Sequence, residues 1–369
     1  MSAQNVLTED YFVNMGPQHP STHGVLRLVL QLDGEVVLSA VPHIGYLHRG
    51  IEKIAENRTY SQFIPFTDRL DYVTAMSNNL AYCLAVEKLL NITPPPRAEY
   101  IRVLMAELNR IASHLVWFGC MGLETGAFTP FLYAFREREG ILNFFEEVCG
   151  QRLTYNYIRV GGVKSDLPEG FVKRVRDFVK DFRHKVDDYD ALLSGNIIFL
   201  NRLEGVGVLS RDMAISYGCT GPVLRGSGVK YDIRKDDPYS VYKEFEFDIP
   251  IGESGDTLDR YKVRIEEMRQ SVKIIEQVLI KLPDGEIIAK VPKVIKPPEG
   301  EVYSRIESSR GELGFFIVSD GTVKPYRLKI RSPAFSNLSV IGEILKSCKI
   351  ADVVVILGTI DIVLGEIDR

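Results

Sequence analysis

Histidines, tyrosines and carboxylates are concentrated in a few short stretches of this chain. His19 and His23 lie four residues apart in Pro17–Gly24, and four of the six histidines fall within Pro17–Gly24 and His43–Lys53. A third stretch, Pro65–Asn78, holds Asp68, Arg69, Asp71 and Tyr72 before an apolar run that continues to Leu90. Its plainest reading is a helix start, with Asp68 as cap and Tyr72 on the first buried turn. The histidine-rich neighbours favour a second reading, in which the three stretches meet around one pocket. A tyrosine and a histidine lining an apolar pocket suit a molecule with two carbonyl oxygens across a ring. Each carbonyl needs a donor, and each oxygen needs a proton on reduction. Tyr72 and His23 are the candidates, with Asp71 and Glu124 as acids that orient or recharge them.

Other chemistries fit poorly. Pro20 directly follows His19 and disfavours the helix that a His-x-x-x-His metal pair requires. No Gly-x-Ser-x-Gly elbow supports Ser21 and His23 as part of a hydrolytic triad. Val160-Gly161-Gly162-Val163 lacks the spacing and lysine of a phosphate loop. The five cysteines (Cys83, Cys120, Cys149, Cys219, Cys348) include no Cys-x-x-Cys pair, so no structural zinc or iron–sulfur site can be assembled from them. Arg49, Arg69, Arg159 and Arg225 lie beside glycines or at helix starts, where ordinary ion pairing and capping also explain them.

The elements that must position these residues are legible from periodicity. In a 369-residue chain, 45% hydrophobic and 25% charged residues are ordinary values for a globular protein with a substantial core. A net charge of −4 gives no reason to expect a nucleic-acid partner. The longest apolar stretch, Ala351–Gly365, is interrupted by Asp352 and Asp361 and is too short to span a bilayer. No charged-then-apolar signal segment is expected at the start. Residues 11–44 read as a β unit, with Leu26, Leu28, Leu30 and Leu32 alternating and Asp33-Gly34 at the hairpin turn. A predominantly helical pattern follows from about 69 to 194. Its clearest member is Arg97–Phe118, and others are expected over Phe128–Cys149 and from Leu167 to Leu193. Asn201–Pro250 is expected to loop over the bundle, and Asp256–Leu282 to form a long helix. Pro283–Gly300 should be a connector. Strands are expected at Phe315–Ser319, Arg327–Ile330 and Asp352–Ile360, with a short helix at Asn337–Cys348. The fold class is α+β, a predominantly helical bundle with small β elements from both terminal parts. The expected divisions are a β unit over 1–44, a bundle over 45–299 with a loop-rich insertion at 195–255, and an α+β part over 300–369.

Four motifs resemble a known family: Gly16-Pro17-Gln18-His19-Pro20-Ser21-Thr22-His23-Gly24, His43-Ile44-Gly45-Tyr46-Leu47-His48-Arg49-Gly50, Tyr157-Ile158-Arg159-Val160-Gly161-Gly162-Val163 and Ile360–Arg369. They are similar to the quinone-reducing subunit of respiratory complex I, called the 49 kDa subunit in mitochondria and the D subunit in bacterial NADH:quinone oxidoreductase. The resemblance runs from about residue 11 to Arg369. It implies a fold like that of the related nickel–iron hydrogenase large subunits. Hydrogenases hold their metals with two Cys-x-x-Cys pairs; the matching positions here are Asp71 and Thr74, and Val363 and Glu366. Without thiolates there, hydrogenase activity is untenable, and the family binds the quinone headgroup in the vacated pocket.

The resemblance further implies that Tyr72 and His23 are the quinone ligands and proton donors. Asp71, Glu124 and His19 would line or relay to the same site, with Glu124 standing where the family usually has an aspartate. Arg49, Arg69 and Thr154 would lie near the terminal 4Fe-4S cluster of a neighbouring small iron–sulfur subunit. Thr154 replaces a common histidine, so the cluster potential should depend less on pH. No metal of the chain's own is implied, and NAD(H) would be used elsewhere in the complex. Implied partners are the small iron–sulfur subunit, the C and I subunits, and the membrane-embedded H subunit. The implied location is peripheral, on the cytoplasmic side of the bacterial membrane. A purely structural assembly role for the chain is the other alternative.

Overall fold

The computed structural model describes residues 11–369. Three strands, β1 (Tyr11–Met15), β2 (Arg27–Asp33) and β3 (Val36–His43), form an antiparallel sheet in the order β1-β2-β3. The β2–β3 loop is Gly34-Glu35, and Gly34 takes the positive φ (+57°) that a two-residue hairpin favours. Leu28, Leu30 and Leu32 are fully buried while Arg27, Val29 and Gln31 are not, so one face of the sheet supplies a core. That core is shared with late segments of the chain, including Val340, Ile341, Ile356, Leu357 and Ile360. A hydrogen bond from Val37 N to Cys348 O (2.9 Å) fastens β3 to the same region.

The larger core lies among five long helices: Ala75–Leu90, Pro96–Glu124, Thr129–Cys149, Phe171–Ser194 and Thr257–Lys281. Pro95 and Pro96 explain the second helix's start, since an N1 proline forgoes a hydrogen bond that would be unmade anyway. Gly150, at φ +75°, closes the third. Asp256 caps the last by accepting from Asp259 N at 2.8 Å. The expected helices are therefore present, and Tyr261, Ile265, Met268, Val272, Ile275 and Leu279, which recur every three or four residues along the last, are buried. Two short strands, β4 (Ile158–Arg159) and β5 (Gly162–Val163), interrupt the helical region between Cys149 and Phe171.

A second three-stranded sheet packs against Ala75–Leu90, with the order β6-β7-β8: β6 (Gly300–Ser308), β7 (Gly311–Ser319) and β8 (Arg327–Arg331). The sequence pointed to β7 and β8 but not to β6, whose Glu301, Ser304, Arg305 and Glu307 interrupt its apolar residues.

Four expectations are corrected. Asp352–Ile360 is a helix, not a strand; a short run of continuous apolar residues does not reveal its own period. Asn337–Cys348 is not one helix, because Pro333–Leu338 and Ile341–Ile344 are separate turns of helix. Asn201–Pro250 is not a covering loop. It carries the short helices Arg211–Ser216, Gly221–Gly226 and Ile233–Asp236, and it buries Arg225, Asp232 and Arg234 completely or nearly so. Finally, the helix expected from Asp68 onward begins at Ala75, after an earlier helix over Tyr60–Thr67.

Candidate functional site

Residues 68–74 form a tight turn between the Tyr60–Thr67 and Ala75–Leu90 helices. Asp71, not Asp68, serves as its hydrogen-bonding acid. Oδ1 accepts from Val73 N (3.0 Å) and Thr74 N (3.3 Å), and Oδ2 accepts from Thr74 Oγ1 (2.5 Å). This draws Asp71 inward to full burial and turns Tyr72 outward to 40% exposure, the reverse of a simple amphipathic helix start. Asp68 is also fully buried, beside the side-chain amide of Asn79. Burial pushes its carboxyl up to about 7, against the opposing pull of Asn79 and Arg69.

His23 follows a single 3₁₀ turn, Pro20–Thr22, built locally by the sequence. Ser21 N donates to His19 Nδ1 (3.2 Å), and Thr22 Oγ1 donates to His19 O (2.7 Å). His23 itself closes the turn in the left-handed region (φ 51°, ψ 42°). Its Nε2 lies 2.6 Å from Oε1 of Glu124, at the end of the Pro96–Glu124 helix, in an ion-pair contact that is off the line of a good hydrogen bond. Burial is the largest single influence and opposes charge on the ring, but the Glu124 carboxylate, aided by Asp361, outweighs it and raises the His23 pKa above its ordinary value. Pro20, Ser21, His23, Cys120, Leu123 and Glu124 line a cavity of about 280 Å³. His19 does not join it. That ring is exposed and lines a separate cavity with Met15, Leu30 and Val354.

Behind these groups sits Arg310, fully enclosed in the turn between β6 and β7. Nη1 donates to Asp71 Oδ2 (2.6 Å) and Ser113 Oγ (3.2 Å), Nε to the backbone oxygen of Asp361 (2.8 Å), and Nη2 to Asp361 Oδ1 (3.1 Å). Arg264 approaches Asp361 Oδ2 at 4.0 Å. Burial works against charge on Arg310, yet Asp361 and Asp71 hold it more firmly protonated than usual. Its field reaches both Tyr72 and His23. Burial, aided by Asp71 and opposed by Arg310, raises the Tyr72 phenol. Glu366 is fully buried with Oε1 bonded to Ser332 Oγ (2.8 Å) and Ala334 N (2.9 Å); burial, then Asp71, pushes it up to about 7.

The segments matching the two hydrogenase thiolate pairs thus do converge. Gly365 packs against Leu70 O so closely that a Cβ there would meet it at 2.7 Å, and Glu366 feels Asp71. The pocket between them is not empty, however. The Arg310 guanidinium bridges Asp71 to Asp361 and occupies the space between them. Among the described residues no three His, Cys, Asp or Glu side chains converge as metal ligands would.

Arg49 and Arg69 are brought together. Arg49 Nη2 donates to Arg69 O (3.0 Å) and Gly365 O (3.1 Å), and both side chains are exposed. The Gly45–Arg49 stretch clasps the last residues: Asp368 accepts from Gly45 N (2.8 Å) and Leu47 N (2.6 Å), and Arg49 N donates to Arg369 O (3.3 Å). Thr154 is half-buried in the loop before β4, with a φ of +53°. Arg310, Ser113 and Asp361 were missed as site residues from sequence. The available signals were the Ser-Ser-Arg-Gly turn at 308–311 and an aspartate breaking the apolar 351–365 run.

Comparison with known proteins gives a consistent pattern. The family described as respiratory-chain NADH dehydrogenase, 49 Kd subunit, matches residues 124–297 and 291–369, and the nickel-dependent hydrogenase family matches residues 49–122. The chain is 56% identical over 364 residues to the NADH-quinone oxidoreductase D subunit of Bacillus mycoides, covering 98% of this chain and 100% of that one. It is 54% identical over 387 aligned positions to the corresponding D subunit of Geotalea uraniireducens, covering 98% and 99%. Identity to the second of the numbered D subunits of Solibacter usitatus is 57% over 357 residues, covering 97% and 96%.

Proposed function

Given that the chain belongs to the family of the respiratory-chain NADH dehydrogenase 49 Kd subunit, we propose that it forms the quinone headgroup site of an NADH-quinone oxidoreductase. Tyr72 and His23 donate to the two quinone carbonyls, one to each. Two electrons arrive singly from a 4Fe-4S cluster on a neighbouring small iron–sulfur subunit, and two protons complete the quinol. NAD(H) is oxidised elsewhere in the complex. Glu124 holds a proton on His23, and Asp71 orients the turn that presents Tyr72. His19 acts at one remove, through the turn that places His23. Arg49 and Arg69 face the cluster-bearing subunit, with Thr154 nearby. The C and I subunits and the membrane-embedded H subunit are the other partners. Among the described residues no helix is long and apolar enough to cross a membrane. In this reading the chain is peripheral on the cytoplasmic side, and the quinone tail enters through a neighbouring membrane subunit.

The observation that carries this reading is the His23–Glu124 pair at a cavity, sharing the Arg310 field with an outward-turned tyrosine. An imidazole whose proton affinity is raised by a carboxylate is suited to delivering a proton near neutral pH. The test is the assembled complex carrying Tyr72→Phe. Quinone turnover should collapse while the iron–sulfur clusters still reduce. Unchanged turnover would make Tyr72 an ordinary surface residue and move the site elsewhere.

A further inference from the structure

We infer that Arg310 is a positioning residue for proton delivery, a fixed cation wedged between Asp71 and Asp361 that holds the Tyr72 and His23 segments together and favours release of their protons. This rests on the quinone-site reading above and adds to it a residue from a distant part of the sequence.

The turn that carries Arg310 is rigid. Asn337 Nδ2 donates to Arg310 O (3.1 Å), and Ser309 Oγ pairs with Ser113 Oγ (3.0 Å). Gly311 has a φ of +128°, and a Cβ on it would meet Thr220 Oγ1 at 2.5 Å. Gly221 is packed so tightly that a Cβ there would meet Arg310 O at 2.5 Å. The guanidinium is therefore carried on closely packed, hydrogen-bonded backbone. Its Nε, Nη1 and Nη2 are all engaged, a fork that a lysine cannot reproduce. One branch holds Asp71, whose neighbour in the chain is Tyr72. The other holds Asp361, the left-handed residue (φ 58°) that ends the Asp352–Ile360 helix.

The charges around the donors have a clear imbalance. His23 faces Glu124 from the end of one helix, Cys120 one turn earlier, Asp361 from a second helix, and Arg310 from the hairpin. Tyr72 faces Asp71 and Arg310. Behind them stand Glu366, near Asp71, and Arg264, near Asp361. Four carboxylates thus meet two guanidiniums, and each acid that faces a donor makes its proton harder to lose. Among the described residues, Arg310 is the cation that faces both donors, with the opposite sign. When quinone takes two electrons from the iron–sulfur cluster, the Tyr72 O–H and His23 N–H bonds break and two O–H bonds form on the reduced ring. A tyrosinate and a neutral imidazole remain. A cation one hydrogen bond from Asp71 stabilises that tyrosinate, and its repulsion of the imidazolium speeds the second proton's departure.

The experiment is quinone turnover against pH in the assembled complex for Arg310→Gln, Arg310→Lys and Asp361→Asn, with cluster reduction followed in the same samples. Arg310→Gln should lower kcat about tenfold or more with little change in KM, and move the alkaline limb upward by about one pH unit. Arg310→Lys should return the limb toward the wild-type position without restoring full kcat. Asp361→Asn should move the limb downward, because it removes an acid that faces His23. An Arg310→Gln complex with the wild-type profile would overturn the inference, as would limb shifts of the same sign in Arg310→Gln and Asp361→Asn. Should Arg310→Gln not assemble, Asp361→Asn decides alone: a limb that stays or rises overturns the inference. Tyr72→Phe is run alongside. If it keeps full turnover, the quinone-site reading fails; if it collapses while the Arg310 variants keep the wild-type limb, only the role of Arg310 fails.

Discussion

Replacing Glu124 by glutamine isolates the charge that raises the proton affinity of His23. The Nε2–Oε1 separation is 2.6 Å, and the two side chains are only 14% and 10% exposed, so water screens the pair weakly. Two unit charges at this range interact by about 6 kcal/mol at an effective dielectric constant of ~20. That is a ceiling of about 5 pKa units, and opposite charges at contact distance shift pKa values by about 1–3 in practice. The burial penalty on the imidazolium remains after the substitution, so the His23 pKa should fall below its ordinary 6.5. A glutamine side chain retains hydrogen-bonding atoms, so the variant removes charge while sparing most of the shape. If protonated His23 is the donor, the alkaline limb of quinone turnover should move down by about 1–3 pH units in the assembled complex, and Glu124→Asp should move it far less. The same linkage has a stability arm. A histidine whose folded pKa is raised contributes stability that is fully present below the unfolded value and is lost as pH rises through the folded one. Glu124→Gln should therefore cost stability at mildly acidic pH and little at alkaline pH. A turnover profile that coincides with wild type would refute the assignment of Glu124 as the partner that keeps His23 protonated.

Gly358→Ala should disturb the same pair from behind. A Cβ at this position would meet Glu124 Oε2 at 2.1 Å and Met121 Sδ at 2.6 Å, so the carboxylate must swing away and the alkaline limb should shift in the same direction as in Glu124→Gln. Arg102→Met leaves Glu87 and Glu99 without their buried cation, which now bonds them at 2.5 and 2.7 Å. Denaturant titration of the purified chain should show a loss of about 3–5 kcal/mol, and adding Glu87→Gln should recover part of it. Asp68→Asn should flatten a pH slope. With the folded carboxyl pushed up to about 7 from an ordinary 3.8, the native state binds the extra proton and stability falls as pH rises between those values. Thermal melts from about pH 4 to about 7 would check this, and a slope unchanged in the variant would count against a buried, protonated Asp68.

The parts of the fold that were legible in the sequence are those in which each residue sees only its own element and one neighbour. Leu28, Leu30 and Leu32 state the inner face of β2 without help, and the three-and-four spacing from Ile101 to Phe118 does the same for the Pro96–Glu124 helix. Local rules fail where tertiary contacts decide. Asp68 and Asp71 are both reasonable helix caps by type, yet burial against Asn79 claims one and Arg310 claims the other. Asp352–Ile360 reads as a strand because Val353, Val354, Val355 and Ile356 are β-branched. It is a helix nonetheless, packed between the first sheet's core and the end of the Pro96–Glu124 helix.

The candidate site was readable only to the extent that its members share a motif. His23, Tyr72 and Glu124 were candidates by type that the family resemblance singled out, whereas Arg310 lies 239 residues from Asp71 and looks in sequence like any arginine in a hairpin turn. The physical reason is that a cation earns its place here through what surrounds it. Asp71, Asp361 and Glu366 are each fully or nearly fully buried, and a cluster of carboxylates in that state requires a cation or retained protons. Both solutions are present, Arg310 for Asp71 and Asp361, and a carboxyl pushed up to about 7 for Glu366. A site of this kind holds its charge balance close to a change of one proton near neutral pH.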